Sequence, residues 1–179
     1  MAAEHKRLFA HLVAAGLVSS GLAGCSTEKA PRPTPPPASP ASVSGEAFAT
    51  LKWLSGRWRG AEAGGAPFYE SYEQRSSGLI ATYSFGDSTF GAPSDSGRLE
   101  LRGDTLFSGS PTIQWVAIRF DSAQVEFAPW RGASNNFAWR RGADRTWTAT
   151  IQWDSAGVQL QRVYEMRPVQ IESPSHRQR

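Results

Sequence analysis

Four side chains carry the chemistry this chain has to offer: the pair in Glu70-Ser71-Tyr72 and the pair in Arg162-Val163-Tyr164. Residues two apart on a strand share a face. Glu70 and Tyr72 therefore stand side by side, either lining a cavity or lying on a solvated strand face. Arg162 and Tyr164 alternate in step with Val158, Leu160 and Met166, opposite Gln159, Gln161 and Glu165. That phase places a guanidinium on the inside. No familiar catalytic group backs these residues. The three histidines are His5, His11 and His176 and the single cysteine is Cys25, so residues 45–169 contain neither type. This removes the commonest metal ligands, the Ser/His and Cys/His nucleophile systems, and haem held through an axial His. Catalysis would fall to Glu70, the tyrosines and Arg162 in a pocket, and their spacing defines no reaction. The expectation is a protein that is not an enzyme and that uses no metal or cofactor.

Residues 1–24 read as an address. His5, Lys6 and Arg7 form a short positive region, Leu8 to Leu22 is mostly apolar, and Leu22-Ala23-Gly24-Cys25 has the form of a bacterial lipobox. The apolar run is too short for a spanning helix. Resemblance to bacterial lipoproteins implies that Cys25 becomes the acylated first residue of the mature chain, a palmitate-type membrane anchor. At roughly 0.8 kcal/mol per buried methylene, one acyl chain holds marginally and three hold durably. The same resemblance, with Ser26 rather than Asp after the Cys, implies the outer membrane.

From Ser26 to Val43 six prolines, Pro31 to Pro40, stand among Ser, Thr and Ala with little to bury. Residues 25–44 are therefore expected to be a lipidated Cys followed by a disordered tether, reaching roughly 55 Å if fully polyproline-like. Residues 170–179 read as a disordered polar tail. The chain's net charge of +3 resides in these flanks, because between Glu46 and Gln170 Lys52 and twelve arginines face thirteen Asp and Glu. A neutral domain has no electrostatic footprint for nucleic acid. A monomer is expected.

The elements that must position the two pairs are strands. From Ser55 to Pro168 short runs rich in Trp, Tyr, Phe, Val, Ile and Thr are separated by turn residues, and about ten strands follow from that spacing. They are expected near 56–62, 67–75, 78–86, 97–102, 104–109, 112–121, 123–128, 135–141, 145–153 and 157–167. Short turns such as Arg102-Gly103-Asp104 and Asp154-Ser155-Ala156-Gly157 leave antiparallel neighbours in a meander. Inward faces are expected for Trp147, Ala149, Ile151 and Trp153, for Leu79, Ala81, Tyr83 and Phe85, and for Leu99 with Leu101, Val125 with Phe127, and Phe137 with Trp139. Ile113 to Phe120 is apolar on both faces and has no readable register. Residues 45–169, about 125 in number, suffice for a core without disulfides. Closing the sheet removes its edges. A two-sheet sandwich is the rival, with its longer crossings at Gly86 to Ser96 and Pro129 to Ser134.

At the start of this domain Ser44 is placed to cap a helical turn that carries Phe48, Leu51 and Leu54 on one face. Then comes Trp53-Leu54-Ser55-Gly56-Arg57-Trp58, where glycines at 56 and, two residues beyond the Trp, at 60 relax the backbone around a large inward ring. This resembles the start of a calycin barrel, as in lipocalins, fatty-acid-binding proteins and nitrobindins, where a helical plug closes the floor and a Gly-x-Trp enters the first strand. With Glu70-Ser71-Tyr72 as a Glu-x-aromatic in the second strand, the chain resembles a family of bacterial lipocalin-like domains of unknown function. That family's late His-Asp-Phe-Pro reads Asn135-Asn136-Phe137-Ala138 here. The resemblance implies an all-β antiparallel meander barrel with a short N-terminal plug helix, and structural roles for Trp53, Gly56 and Trp58. Without a domain histidine, the nitrobindin haem site is not implied.

Similarity to fatty-acid-binding proteins gives Arg162 and Tyr164 one role, holding a ligand carboxylate through a bidentate guanidinium and a phenol. Calycins offer another, in which Arg162 stacks over Trp58 as a clamp. Of the seven tryptophans, Trp115, Trp139, Trp147 and Trp153 at inward positions suit barrel filling, whereas ten strands leave more room than eight. Two functions are therefore expected in parallel. One is a module binding a small amphipathic or aromatic ligand, with Arg162, Tyr164, Glu70 and Tyr72 as candidate contacts. The other is a filled barrel acting as an envelope interaction or inhibitor module through its rim loops.

Overall fold

The computed structural model describes residues 39–169. The leader 1–24, Cys25, the tether up to residue 38 and the tail 170–179 lie outside the described residues. An α-helical turn, α1 (Gly45–Ala49), continues as a 3₁₀ turn (Thr50–Leu54). Ten strands follow: β1 (Gly56–Ala61), β2 (Phe68–Ser76), β3 (Leu79–Phe85), β4 (Asp95–Arg102), β5 (Thr105–Gly109), β6 (Gln114–Phe120), β7 (Gln124–Arg131), β8 (Asn136–Arg141), β9 (Trp147–Ser155) and β10 (Val158–Pro168). Each pairs antiparallel with its sequence neighbours, and β1 pairs with β10 through Trp58↔Pro168 to Ala61↔Glu165. The fold is thus an all-β closed meander barrel with a short helical segment. Closure rules out the sandwich, since no strand crosses between sheets.

The plug forms for the reasons its sequence carries. Ser44 accepts a hydrogen bond from the Ala47 amide at 3.1 Å, giving the helix its cap. Phe48, Leu51 and Leu54 are fully buried against the barrel end. The chain just before the helix is also tied down: the amides of Ala41 and Val43 donate to the carbonyls of Ala117 and Asp104, each at 2.8 Å, and Val43 is fully buried. The expected tether, read through residue 44, is therefore too long at its end. Val43 fills a gap in the barrel end, and one buried apolar side chain with two backbone bonds holds the segment in place.

Most inward faces are as alternation sets them. Leu99, Val125, Phe127, Phe137, Trp139, Trp147, Ala149, Ile151, Tyr164 and Met166 are buried in the core with Trp58. Strand β6 resolves with Trp115 and Ala117 inward, opposite Pro129 and Phe127. Its outer face is apolar because it too is covered. Gln114 bridges to Gly132, and Phe107, the partner of Val116, packs edge-on against Trp130 at 6.0 Å.

Strand β3 is the reverse of the expected face. Its inward residues are Ile80, Thr82 and Ser84, which pair with Gln74, Tyr72 and Glu70, while Leu79, Ala81, Tyr83 and Phe85 lie on the outer face. The outer face is the more apolar one because the 86–94 connection folds back over it. Phe90 packs against Phe85 at 5.0 Å and Tyr69 at 5.9 Å, with the Arg57 guanidinium 4.9 Å from its ring centre. A long loop that looked like a sheet crossing is instead a local flap.

Strands β9 and β10 outrun their neighbours. β8 stops pairing with β9 at Asn136↔Gln152, and β1 stops pairing with β10 at Ala61↔Glu165, yet β9 and β10 continue together to Ser155↔Val158. The excess projects as a two-stranded ribbon at the end opposite the plug. Val158 and Leu160 on it are exposed, as is Val163 on the adjoining free edge of β10.

Candidate functional site

Two rows of inward residues cross β1 to β4 and define the site. Trp58 pairs with Glu70, Glu70 with Ser84, and Ser84 with Asp95. In the next row Gly56 pairs with Tyr72, Tyr72 with Thr82, and Thr82 with Gly97. From β3 to β5 the side chains in these rows are small, whereas the facing wall from β6 to β10 projects Trp115, Phe127, Phe137, Trp139 and Trp147. Large rings on one side and Thr82, Ser84, Gly97 and Ser108 on the other leave an unfilled recess with a cavity volume of ≈ 80 Å³. By volume that is room for about two or three waters or a small polar group, well below the roughly 300 Å³ at which drug-sized pockets begin. The recess opens away from the plug, where Asp95 begins β4 and Ser110 and Ile113 join β5 to β6.

Glu70 forms part of its inner wall, 3% exposed, and Tyr72 stands beside it at 2%. The Tyr72 phenol donates to Glu70 Oε2 at 2.8 Å. Tyr72 is itself fixed edge-on between Trp139 at 5.8 Å and Trp147 at 5.6 Å. Among the described residues Glu70 Oε1 is buried with no hydrogen-bond partner, and so is the indole N–H of Trp139, another lining residue. Burial pushes the Glu70 carboxyl up from 4.5 to about 7, and the Tyr72 bond offsets only part of this. The phenol is raised well above its ordinary value by burial and by the neighbouring carboxyl. The pair is a half-satisfied buried carboxyl held rigidly at the edge of open space.

The two pairs singled out in the sequence are not brought together. Tyr164 is buried, edge-on to Phe68 at 5.4 Å, but it does not line the recess. Arg162 has the inward phase yet is exposed, because it pairs with Ile151 where β1 no longer covers β10. Its guanidinium lies 5.8 Å from the Trp153 ring centre, not over Trp58. The inward placement of Arg162 is corrected accordingly, and with it the clamp on Trp58. Replacing Arg162 with Met is expected to shift unfolding free energy by no more than about 1 kcal/mol, the scale of an exposed cation-π contact. Urea denaturation measures it, and a loss above about 2 kcal/mol would return the side chain to the core.

Trp53, Gly56 and Trp58 stand at the plug end. The Trp58 indole, 4% exposed, donates to the Leu54 carbonyl at 2.6 Å. Trp53 meets Trp147 edge-on at 6.1 Å, and Gly56 takes φ 137° at the first residue of β1, a conformation reserved for glycine. Thr82, Ser84, Asp95 and Ser108 in the recess were not singled out by sequence. Their signal was a run of small polar residues at one strand phase, and it was masked by the apolar outer face of β3. Among the described residues no cluster of three His, Cys, Asp or Glu could hold a metal ion.

Fold and site together define a class, a closed ten-stranded antiparallel barrel compatible with a calycin-like fold and carrying an acidic internal recess. No protein-family model matches the chain, and comparison with curated protein sequences finds no match.

Proposed function

We propose that the barrel is a non-catalytic module that binds a small amphipathic or aromatic molecule in the β2–β6 recess. The observation that carries this is Glu70 Oε1, buried and without a partner among the described residues, at the wall of a recess that the barrel's own rings do not fill. A native core rarely leaves a buried polar atom unmatched without a water, ion or ligand to meet it. The lipobox at Leu22 to Cys25 supports attachment to a bacterial envelope through acylated Cys25, with Ser26 favouring the outer membrane. The Trp53 to Trp58 motif supports membership of the lipocalin-like bacterial family. The neutral domain argues against a nucleic-acid partner.

Filling the recess tests this reading. Ser84 is half-buried in its wall, so Ser84→Phe extends a ring into open space rather than into the packed half. Native mass spectrometry of the purified full chain is expected to show a small-molecule adduct that Ser84→Phe lacks. An adduct retained in the variant would place binding elsewhere. No adduct on either protein would favour action through the exposed ribbon of Val158 and Leu160 with Val163 on the adjoining edge of β10, the surface that suits an interaction module.

A further inference from the structure

We infer that the recess receives the cationic, hydrogen-bond-donating end of its ligand, an ammonium or amidinium group set on Glu70 with an apolar body against Trp115 and Trp139. This rests on the binding-module reading above and specifies its chemistry. An unmatched carboxyl oxygen in a dry wall is satisfied by a donor, and a charged donor forms the stronger bond. Among the described residues the lining contains two acids, Glu70 and Asp95, and no Arg or Lys. Two strand spacings separate the acids, about 10 Å, so an anion entering past Asp95 would meet a carboxyl at both ends. Arg162, whose phase is inward, is exposed on the free edge of β10 beside Trp153 and does not line the recess. The hydroxyls of Thr82, Ser84 and Ser108 both donate and accept and so do not discriminate.

The aromatic side of the recess offers a cation its indole faces, while the unmatched Trp139 N–H calls for an acceptor on the body of the ligand. Trp115 is held in place by its N–H, which donates to the Asn135 carbonyl at 2.8 Å, and Trp139 by edge contacts with Tyr72 and Trp147. Indole faces attract cations and apolar surface alike. A cavity of ≈ 80 Å³ accommodates a head group, and the rest of the molecule leaves through the open end.

Three probes of similar shape and different charge test the inference: benzylamine, benzyl alcohol and benzoate, titrated by calorimetry into the detergent-solubilised full chain. Benzylamine is expected to bind, benzyl alcohol at least tenfold more weakly, and benzoate not measurably. Glu70→Gln keeps the shape and an acceptor for the Tyr72 phenol, and is expected to weaken benzylamine at least tenfold. Ser84→Phe is expected to abolish its binding. Between pH 6 and pH 8 benzylamine stays protonated while Glu70, at about 7, becomes mostly ionised. Its affinity should therefore rise by about tenfold, in proportion to the competent fraction. The titratable groups facing Glu70 are Tyr72 on its own strand and Asp95 beyond β3; Trp58 and Trp139 from β1 and β8 bring no charge.

Benzoate or benzyl alcohol binding as tightly as benzylamine, with both lost in Ser84→Phe, overturns the cation while leaving the binding site in place. Affinity that falls from pH 6 to pH 8 overturns it too, since Glu70 would then act as a neutral donor. An undiminished Glu70→Gln does the same. If none of the three probes binds, the inference fails, and the binding-module reading then stands or falls separately on the native adduct and its response to Ser84→Phe.

Discussion

Truncating Trp58 to Ala is expected to cost about 3–5 kcal/mol of unfolding free energy, toward the upper end of that range. Three contributions converge on this ring. It is almost wholly buried, it meets Trp147 edge-on at 5.7 Å, and its N–H holds the Leu54 carbonyl at the end of the plug. Removing it leaves a cavity in the aromatic layer and also strands a carbonyl, a cost of about 1–3 kcal/mol where the group stays dry. For a domain of this size the thermal midpoint should drop by roughly 10–20 °C. Trp58→Phe keeps one ring's packing and loses the hydrogen bond with the rest of the indole, and should fall between wild type and Ala. Urea denaturation of the three proteins measures this series. A Trp58→Ala midpoint equal to that of wild type would mean that the plug and the barrel are not coupled through this residue.

The second large effect is a dependence of stability on pH that originates at Glu70. Its carboxyl titrates near 7 when folded, against 4.5 as the ordinary value. Between those values the native state keeps a proton that the unfolded chain has released. Stability therefore falls as pH rises from about 4.5 to about 7 and levels off on either side, a loss of about 3 kcal/mol from this one group. The usual carboxylates act elsewhere. Asp87 and Glu100 are held below their ordinary values by hydrogen bonds from Thr89 and Arg102, so their contribution is present above the ordinary carboxylate range and lost only at lower pH. Glu70→Gln removes the buried charge. It should flatten the profile between pH 5 and pH 7 and leave the variant more stable than wild type at pH 8. Parallel profiles for the two proteins would show that the Glu70 carboxyl is solvated. The same desolvation that destabilises the empty barrel at neutral pH is what a cation in the recess would relieve, so a ligand should stabilise the protein most above pH 7.

Much of the architecture was legible because it rests on local rules. Period-two alternation set all ten strands to within three residues of their bounds at either end, and where the turns are short the antiparallel pairing follows from them, the 86–94 connection being the long exception. Ser44, Phe48, Leu51 and Leu54 specify the plug by spacing alone, and Trp58 is buried because a ring that large at an inward phase has nowhere else to go. The end of the tether was less legible. Nothing about Val43 in a Pro-, Ser- and Ala-rich stretch announces that Asp104 and Thr105, about sixty residues on, will offer it a backbone partner and a dry slot.

Alternation determines which side of a sheet a residue faces, and only the assembled barrel decides what occupies that side. Arg162 has the right phase and the wrong depth: β10 outlasts β1, so a position that alternation puts inside is bathed in solvent. Glu70 and Tyr72 share a face by sequence. Their burial depends on Trp58 and Ser84 flanking Glu70 and on Trp139 and Trp147 arriving from strands some seventy residues away. On β3 the local pattern misled outright. The most apolar face is turned outward beneath Phe90, and the polar face of Thr82 and Ser84 is turned into the recess. Sequence by itself determined the strands, the plug and the aromatic supply of the core. Tertiary structure alone decided where the rings fall short of filling the barrel, because that gap is a difference between side-chain volumes on opposite walls, and no single strand contains both.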